Sequence, residues 1–516
     1  MNKSFKKRDT NLLLINPPAT RFHFGTAGLA YLKGYLIKHK IEFNYININQ
    51  DLALNSLKFK KFKKILIEKI ISSDNPFNNK TLEQESLSSL SYILASFSKN
   101  GTLYKSINNH KKLVEDIFID YLNGKEEYIG ISVSDIGQFV PALILSGLTK
   151  TKFPQKKIIF GGSLFVYYKA VLDFLKSDLI NVNDYVDYII AGEGESALLS
   201  IISKRPLNEV PNLIYWQNNK CFFSDFFGWK EAFSKDIPAP IYEKNELPQI
   251  QTSRMCYYNR CVFCSRKNFS SNFSFKGVEQ VVEEFNHIKS NYKNKKISPV
   301  FFVDSCLPIN FLKNFSRIID NSKNKQGLIA FLRFEKELDL DTLRLMKNSG
   351  FGNYGGQIMF GLESSNDRLI KLVNKGINFK IVEKLIQDCI KVGINIELNF
   401  ILNLPTQTNQ ELKNDLDYIS YLLNLSQNIN VRINFFELEN FGYFFSNKEQ
   451  YNLVLINNNF DLKIFLTYKL KSDKNNLFKY GSMFNSESFK VFLNFYKNLN
   501  NDKKNRLCLT GLNIGK

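Results

Sequence analysis

Cys256-Tyr-Tyr-Asn-Arg-Cys261-Val-Phe-Cys264 puts three thiols on one nine-residue stretch. Three thiolates on so short a loop can reach a single metal centre, and no fourth cysteine stands beside them. A closed structural site uses four protein ligands, so three leave a metal position open to another molecule. A zinc knuckle with a distant fourth ligand is the other reading of this spacing. His287 is the nearest downstream histidine, and Cys221, Cys306, Cys389 and Cys508 stand singly.

Around this loop the chain alternates short apolar runs with helical periodicity. Strands are expected at 250–253, 299–303, 328–334, 357–362, 394–402 and 431–436. Helices are expected between them at 278–292, 309–319, 341–348, 367–373, 381–392 and 411–423. Six such repeats predict a partial (β/α)6 barrel over 246–440. The cysteine loop falls at the carboxyl end of its first strand, where barrels of this kind carry their chemistry. The rhythm fades after 441, and 441–516 reads as a small C-terminal helical extension that would govern substrate specificity.

Upstream, strands at 11–15, 43–48, 128–133, 157–160 and 185–190 alternate with helical segments such as 28–37. This is the pattern of an α/β, Rossmann-like parallel sheet over 1–205. Three strands end in small residues: Ser132 and Ser134, Gly161-Gly162, and Gly192-Glu193-Gly194-Glu195. A single glycine there would mean a tight turn, whereas a succession of them at strand ends marks a binding crevice. A Ser/Lys/Asn-rich, mostly helical insertion occupies about 52–125 and carries no motif. The stretch 206–245, with Trp216, Trp229 and four prolines, reads as a linker.

A chain of 516 residues with 44% hydrophobic residues supports two or more domains. Its net charge is +20, but the lysines are dispersed, and the one dense run, at 58–64, reads as a solvated helix face. The distribution disfavours specific nucleic-acid recognition. Seven cysteines, an odd number in a long chain, argue against a disulfide framework. No apolar run approaches the length of a membrane span and no secretory signal opens the sequence, so the expected setting is the reduced cytoplasm.

These residues carry a resemblance. The cysteine loop at the first strand end is similar to the cluster loop of the radical S-adenosylmethionine (SAM) enzymes. Phe301-Phe-Val-Asp304, Arg333, Gly361-Leu-Glu-Ser364, Lys375-Gly376 and Leu402-Asn-Leu-Pro-Thr-Gln-Thr408 follow in that superfamily's order. The first half resembles the cobalamin-binding domain preceding the barrel in the cobalamin-dependent subgroup, through Asn16-Pro17-Pro18, Gly28-Leu-Ala-Tyr-Leu, Gly130-Ile-Ser132, Gly161-Gly162 and Gly192-Glu-Gly-Glu195. Three departures stand out. The first cysteine gap holds four residues where three is usual, Asn403 and Gln407 replace a common Gly and Glu, and no Asp-x-His-x-x-Gly occurs in the first domain.

The resemblance implies a 4Fe-4S cluster on Cys256, Cys261 and Cys264, with SAM at the remaining iron. Phe263, Arg333, Glu363 and Ser364 would contact SAM. Pro18, Gly28, Ser132, Ser134, Gly161, Gly162, Gly192, Glu193, Gly194 and Glu195 would line a site for base-off cobalamin. Reductive cleavage of SAM would give a 5′-deoxyadenosyl radical, and cobalamin would deliver a methyl group to an unactivated carbon. The implied activity is C-methylation of a natural-product or ribosomal-peptide substrate, with flavodoxin or ferredoxin as electron donor. Asp304 is a candidate for SAM or substrate. Cys306 could instead return a hydrogen atom to a substrate radical, as a peptide epimerase requires. A zinc-bearing RNA-binding protein is the reading from outside enzymology.

Overall fold

The computed structural model describes residues 11–17, 27–48, 119–134, 136–175, 185–218, 220–227, 238–243, 246–264, 273–291, 299–320, 326–436, 438–439, 442–455, 465–466, 468–470 and 486–510. Pro18 and nearly all of the 52–125 insertion lie outside the described residues.

The first sheet has seven strands in the order β2-β1-β3-β4-β5-β6-β7. Its parallel part comprises β1 (Leu12–Asn16), β2 (Asn44–Asn47), β3 (Tyr128–Ser132), β4 (Lys157–Gly161) and β5 (Tyr188–Ile190). β1 is apolar up to Asn16 and buried throughout, as a central strand covered on both faces must be. The segment read as a linker supplies two antiparallel edge strands, β6 (Leu213–Gln217) and β7 (Lys220–Phe223). Trp216 and Cys221 pack against the sheet's core, which holds this hairpin in place.

The second sheet forms the open barrel. It contains β8 (Gln249–Ile250), β11 (Val300–Phe302), β12 (Leu328–Leu332), β13 (Gln357–Glu363), β14 (Ile396–Leu402) and β15 (Ile429–Phe435), all parallel. Between β8 and β11, β9 (Ser253–Arg254) and β10 (Ser274–Phe275) make a small antiparallel ribbon at the two ends of the cysteine-bearing connection. The six expected strands are all present. A seventh, Leu507–Thr510, pairs parallel with β15, so the C-terminal extension is not only helical and completes an edge of the barrel.

Alternate residues of each strand pack on the helices. Ile396, Leu398, Phe400 and Leu402 of β14 join Ile429, Val431 and Ile433 of β15 in one continuous core. The other face, including Glu397, Asn399, Arg432 and Cys508, turns to the barrel interior. Arg432 there clasps Glu397 through two hydrogen bonds, of 2.7 and 3.1 Å, and donates to the Cys508 sulfur.

Polar contacts join the two halves. Tyr31, on the helix Ala27–Lys38, donates to Glu284 at 2.7 Å and accepts from the Gln251 amide and from Lys276. Tyr45 and Asn47 both donate to Glu246. These contacts tie the helix Ala27–Lys38 and β2 to the segments on either side of β8 and to the helix that carries Glu284.

Candidate active site

The cysteine loop is pinned from below by the turn after the helix Asp367–Leu372. The Val262 amide donates to the Val373 carbonyl at 3.0 Å, Tyr258 donates through its hydroxyl to the Asn374 carbonyl at 2.9 Å, and the Asn374 side chain donates to the Arg260 carbonyl. Met255 and Asn259 take left-handed backbone, which curls the loop. Cys256, Cys261 and Cys264 are all half-buried, and none is in a disulfide. Among the described residues no three His, Cys, Asp or Glu side chains converge on one point as ligands of a single ion.

Behind the loop, two cations are built into the barrel's mouth. Lys375 Nζ donates to Glu363 Oε1 at 2.6 Å, in a pair whose side chains are both more than nine-tenths buried. The same ammonium lies 5.8 Å from the centre of the Phe263 ring. The Arg333 guanidinium stacks 3.5 Å above Tyr258 and donates to the Lys375 carbonyl at 2.7 Å. Its buried Nε has no hydrogen-bond partner, with Glu335 standing 3.6 Å away. Gly376 has φ +64°, and a side chain on it would meet the Tyr258 hydroxyl at 2.2 Å, so glycine is required twice over. Glu363 sits at the end of β13 on left-handed backbone (φ +71°) where the register to β14 shifts.

Burial pushes the Cys261 thiol up, while Lys375 and Arg333 pull it down. Burial opposes the charge on Lys375, yet Glu363 and Cys261 hold its ammonium above the usual lysine range.

Ser364, at the end of the same strand, is fully buried and donates its hydroxyl to Asp415. Asp415 also accepts from the backbone and hydroxyl of Ser365, from Asn366 and from Gln407. Burial pushes its carboxyl up to about 6 despite these donors. Gln407, the departure from the family's Glu, fits this neighbour: its amide donates to Asp415 at 2.8 Å while its oxygen accepts from the Asn403 amide. A glutamate there would face a second buried carboxylate. Asn403 takes φ +62°, a conformation that asparagine tolerates better than most residues. The next helix, Asn409–Leu425, opens with a capping box between Thr408 and Glu411, which fixes where the strand-end loop stops.

Asp304 is buried and accepts from the backbone of Thr252 and Ser253 and from the Ser253 hydroxyl. It anchors the backbone two residues before Arg254-Met255-Cys256. Cys306 is 2% exposed, donates to the Tyr257 hydroxyl at 3.4 Å, and is pushed up to about 12 by burial. Tyr257 in turn donates to Glu335 at 2.7 Å.

In the first sheet, the loops that follow β3 and β4 meet. Gly162 (φ +113°) lies against the Val133 carbonyl, and the Ser163 hydroxyl donates to Ser134. Buried Gln138 staples this loop to β1: its oxygen accepts from the Ser134 amide, and its amide donates to Asn16 and to the Pro17 carbonyl. A side chain added at Gly28, Gly161 or Gly194 would meet no atom of the described residues. Gly192 packs on Asn212, and Glu195 opens the helix Glu195–Ile202. Glu193 reaches across to Arg254 at 2.7 Å, two residues from Cys256. This ion pair sets the Gly192-Glu-Gly-Glu195 turn of one half beside the strand that leads into the cysteine loop of the other. Sequence reasoning singled out the strand-end glycines, the cysteines, Arg333 and Glu363, but it missed Tyr257, Tyr258, Gln138 and Asp415. Asp415 left one trace, a carboxylate on the apolar stripe that Leu412, Leu416 and Ile419 define.

Comparison with known proteins agrees with this arrangement. The radical SAM superfamily model matches residues 250–419. A protein named as an uncharacterized methyltransferase of Pyrococcus horikoshii is 26% identical over 266 residues, 46% of this chain and 55% of that protein. The chain thus spans about half the length of this curated relative. The radical SAM methyltransferase TsrM of Kitasatospora setae, solved with cobalamin and a 4Fe-4S cluster bound, superposes with a TM-score of 0.62 at 12% identity, covering 98% of this chain and 94% of that one. The cobalamin-dependent SAM radical enzyme OxsB, solved with aqua-cobalamin and SAM, gives 0.55 at 16% identity, covering 94% and 61%. Residues 250–419 thus form a domain of the radical SAM superfamily, and the chain as a whole shares the two-part fold of TsrM and OxsB.

Proposed function

We propose that this protein is a radical SAM enzyme that holds a 4Fe-4S cluster on Cys256, Cys261 and Cys264 and cobalamin on the glycine cradle of its first domain. Its reaction on this reading is methylation of an unactivated carbon in a natural-product or ribosomal-peptide substrate. The observation that carries the proposal is the Arg254–Glu193 contact, which joins the strand leading into the cysteine loop to the Gly192-Glu193-Gly194 turn of the first sheet. When bound, these groups supply one-electron cleavage of SAM and a methyl carrier.

The chain's own residues supply position and charge. Arg333 brings a buried N–H that makes no hydrogen bond and is suited to a carboxylate, Glu363 an acceptor suited to an ammonium or hydroxyl, and Phe263 an aromatic face. Asp415 holds the Ser364 and Gln407 loops in register. A flavodoxin or ferredoxin would serve as reductant, and the substrate would be a peptide or small molecule. No helix among the described residues is long and apolar enough to cross a membrane.

Cys306 as a hydrogen donor for epimerisation is disfavoured by its burial beneath Tyr257. The radical SAM match over the cysteine loop's own domain favours an iron–sulfur cluster over zinc. The test is anaerobic turnover of the reconstituted full chain with methyl-labelled SAM, a low-potential reductant and aquacobalamin. Label transfer to substrate that depends on cobalamin supports the reading. Solvent deuterium entering substrate without methyl transfer moves the assignment to epimerisation.

A further inference from the structure

The Glu363–Lys375 pair lies directly behind the cysteine loop, and the fold goes to some length to keep it there. Both charges are withdrawn from water, which is costly unless each has a close partner. A side chain on Gly361 would meet both Glu363 Oε1 and Lys375 Nζ at 2.5 Å, so the strand is bare where the pair needs room. Glu363 takes left-handed backbone to present its carboxylate. The residues flanking Lys375 make the loop's own contacts: Val373 and Asn374 accept from Val262 and Tyr258, and the Lys375 carbonyl accepts from Arg333. Lys375 Nζ faces Phe263, between Cys261 and Cys264.

We propose that Lys375 and Glu363 are the paired charges that set the reduction potential of the cluster seated on Cys256, Cys261 and Cys264. This rests on the cluster assignment made above. Reduction adds one negative charge to an iron–sulfur cluster, and its potential follows net charge and solvent exposure. A buried cation beside the loop stabilises the reduced form, and a buried anion destabilises it. Because the two charges act in opposite directions, removing either one unmasks the other. Arg333 adds a second cation that remains in both variants.

The experiment is a redox titration of the anaerobically reconstituted full chain without SAM, followed by the paramagnetic resonance signal of the reduced cluster. Lys375→Met should shift the one-electron equilibrium at least tenfold toward the oxidised form, about 59 mV lower in potential. Glu363→Gln should shift it tenfold or more the other way, and Lys375→Arg should restore the wild-type value. Iron content is measured first. A wild-type protein without about four irons per chain removes the cluster assignment and this proposal with it. A full iron complement with both variants within threefold of wild type, or with both shifts in the same direction, overturns the proposal and leaves the cluster assignment standing. Should one variant fail to fold, the sign of the other's shift still decides.

Discussion

The Arg254 guanidinium lies 2.7 Å from the Glu193 carboxylate, joining the strand that leads into the cysteine loop to the Gly-Glu-Gly-Glu turn of the other half. Arg254 is mostly buried and Glu193 about a third exposed, so the pair is partly screened. Glu193→Ala should lower stability by only about 1 kcal/mol, measured by denaturant unfolding. Cobalamin affinity should fall more sharply, because the turn loses its fixed orientation toward the loop. Unchanged affinity in a stably folded variant would separate this contact from the cradle.

Asp415 gathers the loops that follow β13 and β14, and burial raises its carboxyl to about 6. The folded state therefore keeps a proton that the unfolded chain releases near pH 4. Its contribution to stability is complete below pH 4 and is lost as pH rises toward 6. The shift of about two units corresponds to roughly 3 kcal/mol. Asp415→Asn should be less stable overall and should lack this part of the slope. Comparing chemical denaturation of both proteins across pH 4–7 checks the difference, which cancels the contributions of other buried acids such as Asp304.

Gly376→Ala imposes a left-handed alanine and drives its methyl group into the Tyr258 hydroxyl. The backbone term alone is about 1 kcal/mol, and the clash adds to it. Thermal unfolding should show a clear loss. Adding Tyr258→Ala should not restore stability, because it relieves the clash while leaving the strain and releasing the Arg333 stack.

Cys306→Ala tests the thiol directly. If Cys306 only packs against Tyr257, label transfer from methyl-labelled SAM to substrate should stay within about threefold of wild type. Loss of turnover by orders of magnitude, with the iron content intact, would make it a participant.

Much of this arrangement was legible in the sequence because it is written in local patterns. The barrel strands are apolar runs separated by amphipathic helices, and β11 to β15 fall within a few residues of where periodicity puts them. The hairpin β6–β7 was hidden because the prolines at 206, 211, 238 and 240 flank it and make the stretch look like a connector, and only pairing with β5 makes it sheet. The strand Leu507–Thr510 is four residues long and exists through its contact with β15, which no local signal encodes. At the site, three clustered thiols announce themselves by spacing. Asp415 and Gln138 do not, since each is a single polar residue whose meaning comes from hydrogen-bond partners far away in sequence.

Metal analysis after anaerobic reconstitution tests whether the Cys256–Cys264 loop carries an iron–sulfur cluster. Wild-type protein should hold about four irons and four sulfides per chain, with broad visible absorption that bleaches in air, and the Cys256→Ala/Cys261→Ala/Cys264→Ala variant should hold none. A colourless wild-type protein binding one zinc per chain through the same three thiols would contradict the cluster assignment.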